Sequence, residues 1–413
     1  MKKVIFHVDV NSAFLSWEAC YRIHHLGGKQ DLRQLVSAVG GDQEKRHGII
    51  LAKSIPAKKY HIQTGETVVS AKEKCPDLVL VPPNYDLYNR SSKALIKLLS
   101  EYTDKIEQYS IDEAFLDMTG CCQDPITTAY EIKNRVHAEL GFTVNIGVSE
   151  NKLLAKMASD FEKPDKVHTL FPEEIPTKMW PLPVRDLLFL GKASEKKLTE
   201  AGIHTIGDMA HAREAEIQTL LGNKAGHQLW QYACGIDDSP VRAQPEEAKG
   251  FSVETTFNDD IVSVEQVLPI LLEQCDIVAT RMRRKEKKCT SVSVTFRTLD
   301  FKNKSHQTTL ANATDLTDEI YKNAKRLFVE SWKGEPLRLI GVALTNLKDE
   351  SFEQLSLFED NEKKERRRKL DATMDEIRRK YGNDKIKRAS IMNSNGGIAR
   401  KARAQMKNED EKE

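Results

Sequence analysis

Short apolar runs alternate with longer amphipathic stretches through the first 150 residues, and that alternation constrains the fold more than any other feature. KVIFHVDV, GIILAK, LVLVP, IEQYSI, EAFLDM and FTVNIGVS read as strands. SAFLSWEACYRIHHL, with Ser12 as a candidate N-cap, reads as a helix, as do NYDLYNRSSKALIKLLSEYT and PITTAYEIKNRVHAEL. Interleaving of this kind predicts an α/β or α+β domain. Pro172, Pro176, Pro181 and Pro183 mark a boundary, and short glycine-punctuated helices follow in KKLTEAGIHTIGDMA. The polar stretch DDSPVRAQPEEAKG, residues 237–250, reads as a linker. Beyond it, SVETTF, VLPILLEQCDIVATRMRRK, TSVSVTFRTL, DLTDEIYKNAKRLFVESW and LRLIGVALTNL make a βαββαβ-like pattern, a second α+β domain. The tail after Glu350 is strongly charged and is expected to be only partly ordered.

Length and charge narrow the class. A chain of 413 residues suggests two to four domains. Its net charge of +1 shows no overall basic excess, yet an average hides local ones. Residues 281–304, RMRRKEKKCTSVSVTFRTLDFKNK, hold nine Lys/Arg against two Asp/Glu. Basic side chains alternating along strands suit contact with a nucleic-acid backbone. Arg281, Arg283, Arg284, Lys302 and Lys304 are the candidates, chosen by charge. The seven cysteines form no CxxC pair, which points to reduced thiols in the cytoplasm. The apolar part of MKKVIFHVDV is too short for a signal-peptide core, and no run is long enough to cross a bilayer.

The adjacent acids of YSIDEAFLDM carry the chemistry. In a strand, neighbouring side chains point to opposite faces. If IEQYSI and EAFLDM pair as a hairpin, Asp112 and Glu113 fall at its turn, where both can reach one side. Asp9 ends the first apolar strand, and pairing of that strand beside the hairpin brings three carboxylates to one sheet edge. Taken singly, an acid at a strand end is usually just solvated. Three together repel unless cations lie between them, and hard divalent ions such as Mg²⁺ match oxygen ligands. Two such ions about 4 Å apart can bind the attacking and leaving oxygens of phosphoryl transfer.

HVDVNSAFLSWE, AVGGD, YSIDEAFLD and GVSENKLLAKMASDFEKPD, followed by GIHTIGDMA, RLIGVALTNL and QLSLF, resemble the Y-family translesion DNA polymerases of the bacterial polymerase IV and V (DinB/UmuC-like) type. The resemblance runs through nearly the whole chain, and SIDEAFLD with NKLLAKMASDFEKP is its most specific part. It implies an α+β right-hand polymerase: palm in 1–25 and 82–170, fingers in 26–81, and a helix-hairpin-helix thumb in 171–238. A linker at 239–250, an α+β little finger in 251–350 and a tail in 351–413 would complete it. Asp9, Asp112, Glu113 and the Val10 carbonyl would hold two Mg²⁺ ions. Phe14 falls where the family places its steric gate against ribonucleotides; without the motif it would read as a core residue of an amphipathic helix. Lys163 matches the triphosphate-binding lysine.

This sequence also departs from the family pattern. AKSIPAKKYHIQTG aligns with a fingers segment that usually carries Tyr-x-x-Arg, and Ile55 and Lys58 stand at those positions. Lysine supplies charge without the guanidinium fork, and isoleucine supplies no hydroxyl. Small residues near the base pair, Ser54 and Ala57, would favour lesion tolerance, and Ser54, Lys58 and Lys163 are the candidate nucleotide contacts. Lys152 and Lys156, four apart, share a helix face that is either functional or simply solvated. In the thumb hairpin Phe189 takes the place of the first glycine of a Gly-x-Gly, leaving Gly191 as the backbone contact to DNA. Gln354, Leu355, Leu357 and Phe358 of QLSLF resemble the peptide that docks bacterial polymerases on the sliding clamp.

The expected activity is therefore low-fidelity, template-directed synthesis by a monomer acting on primer–template DNA, dNTP and clamp. A clamp-docked accessory protein with weak or no catalysis is the second reading, favoured by Ile55, Lys58 and Phe189. A palm-fold nucleotidyl cyclase is the third, but it has no use for the basic strip or the clamp peptide.

Overall fold

The computed structural model describes residues 2–41, 48–244, 246–349, 361–382 and 385–391. It divides into two compact units, Met1–Gly40 with Ile50–Pro245, and Gly41–Ile49 with Glu246–Glu413.

The first unit is built on a five-stranded sheet of β1 (Ile5–Val10), β5 (Ile106–Gln108), β6 (Glu113–Asp117), β7 (Val144–Ser149) and β8 (Val167–Thr169), ordered β5-β6-β1-β7-β8. Strand β1 runs antiparallel to both neighbours, pairing Asp9 with Glu113 on one side and Asn145 on the other. Alternation along β1 sorts the two faces. Phe6, Val8 and Val10 join the core formed with α1 (Ala13–His25), α4 (Tyr85–Leu99) and α5 (Pro125–Arg135). Ile5, His7 and Asp9 alternate with them and face the other way. That face is covered by α6 (Lys152–Ser159), which approaches so closely that a Cβ on Gly147 would lie 1.9 Å from the Ala155 carbonyl oxygen. Glycine in β7 is thus what lets α6 lie flat on the sheet.

A smaller three-stranded sheet holds β2 (Ser37–Gly40), β3 (Ile50–Lys53) and β4 (Val79–Val81), with the short helices α2 (Ile55–Lys58) and α3 (Val68–Lys74). Four short helices complete the unit's main elements after α7 (Ile175–Lys178): α8 (Lys192–Glu200), α9 (Ile206–His211), α10 (Glu214–Leu221) and α11 (Asn223–Ala233). They share an apolar core with Leu153, Leu154 and Met157 of α6.

Polar side chains cap several helix starts. Ser54, Thr67, Asn84, Asp124 and Asn151 each accept a backbone N–H at a helix start. Ser12 does not: its φ of 48° is left-handed, whereas a capping side chain needs an extended backbone. The expectation that Ser12 caps α1 is corrected.

In the second unit β9 (Gly250–Ile261), α12 (Val264–Arg283), β10 (Lys287–Thr298), β11 (Asn303–Thr314), α13 (Thr317–Ser331) and β12 (Leu337–Asp349) form a four-stranded sheet ordered β11-β10-β12-β9. Strand β11 supplies the βαββαβ pattern with a member that no apolar run announced. It is an edge strand, and NKSHQTTLANAT buries only its last residue. Part of the charged tail is helical. Residues Asn361–Tyr381 form α14, whose Asp371, Met374 and Arg378 are buried. An ion-pair layer joins α14 to the unit: Arg378 contacts Asp276 at 2.6 Å, and Arg283 contacts Asp375 at 2.7 Å. Arg388 meets Asp371 at 2.5 Å and Asp318 at 2.9 Å.

Candidate active site

The three acids of the sequence reading lie on adjacent backbone. Glu113 opens β6 opposite Asp9, and the Val10 N–H donates to the Asp112 carbonyl at 3.0 Å. Asp112 sits in the turn between β5 and β6, which breaks the alternation that would otherwise separate it from Glu113. Ser110 sets that turn: its hydroxyl donates to Asp112 Oδ1 at 2.6 Å and accepts the N–H groups of Asp112 and Glu113 at 3.2 and 3.1 Å. Sequence reasoning passed over Ser110, although a serine two residues before an acid in a hairpin is a recognisable turn signal.

The carboxylates carry cationic partners. Lys163 is ion-paired with Asp9 and lies 2.7 Å from Asp160. Lys156 on α6 meets Glu113 at 2.5 Å, and the buried His7 lies 3.4 Å away from the same carboxylate. Lys152, one turn earlier, is 2.7 Å from Glu107. The shared face of Lys152 and Lys156 is therefore turned to acids, not to open solvent. Among the described residues, no group of three or more His, Cys, Asp or Glu side chains is arranged to hold a metal ion by side chains alone.

The two paired acids differ in electrostatics. Burial pushes the Asp9 carboxyl up to about 6; Lys163 opposes the shift, and the neighbouring Glu113 and Asp112 charges add to it. Burial also pushes Glu113 upward, but the nearby His7 and the hydrogen-bonded Lys156 outweigh it and hold the carboxyl at about 2. Burial drives the His7 imidazole down, toward its neutral form. Asp9, Asp112 and Glu113 supply oxygen donors, the kind a hard divalent cation takes, and burial is the main cause that disfavours the Asp9 anion while no cation is beside it.

Lys163 is held in place by residues that the sequence did not advertise. Asn11 accepts the Asp165 N–H at 2.9 Å and donates to Asn145 at 3.1 Å. Asn145 in turn donates to the carbonyls of Ser159 and Glu162 at 3.0 and 2.7 Å. Two buried amides thereby tie the loop bearing Lys163 to the strands bearing Asp9. Only the tertiary pairing shows this, because 134 residues separate them.

A cavity of about 410 Å³ opens beside this cluster. Val10, Asn11, Ser12, Ser54, Ile55, Lys58 and Lys163 line it, as do Asp31, Arg33 and His137. Ser54 lines it, but its hydroxyl is occupied by the N–H groups of Ala57 and Ser37, at 3.1 and 3.2 Å. Ile55 is exposed and Ala57 fully buried. Phe14, half-buried at the start of α1, stacks on Tyr88 with ring centres 4.4 Å apart and planes 9° from parallel.

The residues chosen for DNA contact fare unequally. Arg283 is mostly covered: it is bonded to Asp375 and to the Asp315 carbonyl at 2.8 Å, so its charge is spent on partners within the unit. It was selected by sequence charge, which cannot tell a surface arginine from one facing a buried aspartate. Arg281 donates to the Ser252 carbonyl at 3.1 Å, and Arg284 is half-buried. Lys302 pairs with Asp300 at 2.7 Å, an exposed pair that costs little to exchange, and Lys304 pairs with Glu335, both half-buried. Gly191 is the N-cap of α8, and a Cβ there would meet open space. Phe189 takes φ 65°, the left-handed conformation that glycine would adopt, so the hairpin path survives the substitution. Gln354, Leu355, Leu357 and Phe358 lie outside the described residues.

Comparison with known proteins gives a consistent result. The impB/mucB/samB family model matches residues 8–160, and the model of that family's C-terminal domain matches 248–357. A model described as the thumb domain of DNA polymerase-iota matches 185–237. DNA polymerase IV of Clostridium acetobutylicum is 45% identical over 95% of this chain and 99% of its own length. DNA polymerase IV 1 of Bacillus subtilis is 36% identical over 94% and 93%. Among solved structures, a Y-family DNA polymerase chimera of Dbh and Dpo4 superposes with a TM-score of 0.73 at 22% identity, covering 84% of this chain and 99% of that one.

Proposed function

The chain belongs to the Y-family of DNA polymerases, in the impB/mucB/samB group, and from that premise we propose that it performs low-fidelity translesion synthesis with Asp9, Asp112 and Glu113 as its catalytic carboxylates. The observation that carries the assignment is the pairing of Asp9 with Glu113, with Asp112 bonded to the Val10 backbone, beside a cavity lined by Lys58 and Lys163. The reaction joins the primer 3′-oxygen to the α-phosphorus of a dNTP and breaks the bond to pyrophosphate.

Two Mg²⁺ ions, held by the three carboxylates and the Val10 carbonyl, would supply Lewis-acid stabilisation to the oxygens of that displacement. The protein's own groups do the positioning. Lys163, once exchanged from Asp9, carries its ammonium on a flexible stem toward the triphosphate, and Lys58 adds a second charge to the cavity lining. Lys156 keeps Glu113 ionised and oriented. Phe14, braced against Tyr88, cannot yield to a 2′-hydroxyl without breaking that stack, which suits it to select deoxyribose. The palm, fingers, thumb and little-finger boundaries follow the sequence reading. Residues 354–358 are proposed to dock on the sliding clamp, and the working form is a monomer in the cytoplasm. Among the described residues no helix is long and apolar enough to cross a membrane.

One observation favours the accessory reading: Ile55 offers the cavity no hydrogen-bonding group. Primer extension with Mg²⁺, comparing dNTPs with rNTPs, decides between the two. Extension that is dNTP-selective and lost in Asp112→Ala/Glu113→Ala supports the polymerase assignment; tight DNA binding with no extension replaces it by the accessory one. Removing residues 354–358 should abolish clamp binding and leave distributive extension intact.

A further inference from the structure

Among the described residues two phenylalanines are exposed, Phe189 at 62% and Phe301 at 65%, and every other is buried or half-buried. The same two are the phenylalanines with left-handed backbone, at φ 65° and 60°. A bulky side chain at positive φ is strained, since its Cβ crowds the following carbonyl, and glycine or asparagine would sit there without that cost. An exposed ring also leaves its apolar area in water. Each site therefore costs the folded chain twice over. Neither ring gains much in return from its own unit. Phe189 has Tyr232 beside it at 6.2 Å, tilted by 36°, and Phe301 lies under the Arg338 guanidinium at 4.9 Å.

Both rings stand at loop tips in basic surroundings. Phe301 caps the β10–β11 hairpin, where Arg297 pairs with Asn303 and Phe296 with Lys304 across the strands. Arg297, Lys302, Lys304 and Arg338 outnumber Asp300 and Glu335 there. Phe189 lies between Val184–Asp186 and α8, in a stretch where Arg185, Lys192, Lys196 and Lys197 face Asp186 and Glu195 in number. An exposed aromatic ring in a locally basic stretch is complementary to a polyanion with flat, apolar faces.

We infer that Phe189 and Phe301 are base- or sugar-contacting residues for the primer–template DNA, held outward by strained loops so that their rings reach past the phosphates. The inference rests on the polymerase assignment and goes beyond it, because the lysines and arginines supply sequence-independent charge while these rings add a stacking contact. Strain fits the role: a left-handed residue projects its side chain out of the tight loop instead of folding it back.

The test uses the full chain and a primer–template labelled for anisotropy, with 2-aminopurine placed along the template. Phe189→Gly and Phe301→Gly should each weaken DNA binding by about fivefold or more, while the melting temperature stays level or rises because strain is removed. Phe→Asn at each site should match glycine, and Phe→Trp should restore binding and the 2-aminopurine signal. Unchanged affinity in both glycine variants, with wild-type extension intact, overturns the inference but leaves the polymerase assignment standing. A melting temperature that falls in step with affinity in the glycine and asparagine variants also overturns it, assigning the rings a structural role. Wild-type protein that neither binds nor extends primer–template removes both.

Discussion

Two sets of opposed charges, one in each unit, show how the same chemistry serves different ends. Beside the cavity, Asp9 and Glu113 are matched by lysines; in the second unit Asp276, Asp371 and Asp375 are matched by Arg283, Arg378 and Arg388. The Arg378–Asp276 side chains are 8% and 7% exposed, whereas Lys163 is 31% exposed at a cavity wall. Arginine, always charged and with a rigid fork of donors, commits to its partners. Lysine is a single charge on a flexible stem, so it can hold a carboxylate now and yield it to another cation later. The layer in the second unit fastens α14, while the cluster in the first keeps its acids ready for exchange. Such buried pairs bring little net stability relative to apolar packing, but breaking one strands a charge.

The comparison is tested most severely by removing the acids. Asp112→Ala/Glu113→Ala should lower extension by about a thousandfold or more, and DNA binding measured by anisotropy should survive. Next, Arg378→Ala should destabilise the second unit in urea unfolding, because the buried Asp276 loses its 2.6 Å partner and keeps only the more distant Arg388, at 3.5 Å. Replacing Arg378 and Asp276 together by leucine should recover much of that loss; if the single and double variants unfold alike, the layer is not a matched set. Lys163→Ala should behave differently. The KM for dNTP is expected to rise about tenfold with little change in unfolding midpoint, and a large stability loss would place Lys163 with the arginines.

The smallest expected effect is a titration. Asp9, with its carboxyl raised to about 6, binds a proton as pH falls through that value, and a protonated carboxyl is a poor cation ligand. If Asp9 is a ligand as proposed, Mg²⁺ affinity should be full above pH 6, about halved near it and roughly tenfold weaker by pH 5. Titrating Mg²⁺ against extension rate across that range checks the direction, and Asp9→Asn should flatten the profile at a low level.

Much of this was legible in the chain. The apolar runs placed β1, β6 and β7, and the hairpin logic placed Asp112 in a turn and Glu113 at a strand start. The motifs in SIDEAFLD and NKLLAKMASDFEKP identified the family through residues fixed by local chemistry. What the sequence hid depends on distant partners. Strand β11 is polar because it lies on a sheet edge, and its identity comes from pairing with β10 rather than from its own pattern. Arg283 looked like its basic neighbours until α14 brought Asp375 against it from 92 residues away. Ser110 and the Asn11–Asn145 bridge act through backbone groups that no residue pattern specifies.

The sequence by itself determined which residues are acids, bases and rings, where strands alternate, and that three carboxylates fall at strand ends. Those are local properties, set by side-chain chemistry and backbone periodicity. Tertiary structure alone decided which cation each acid meets, and so why Asp9 and Glu113, Cα partners in one sheet, lie at opposite extremes of acidity. It also decided which of the basic side chains in 281–304 remain outside. Burial and charge pairing depend on what packs from elsewhere in the chain, and that is set only when the units close.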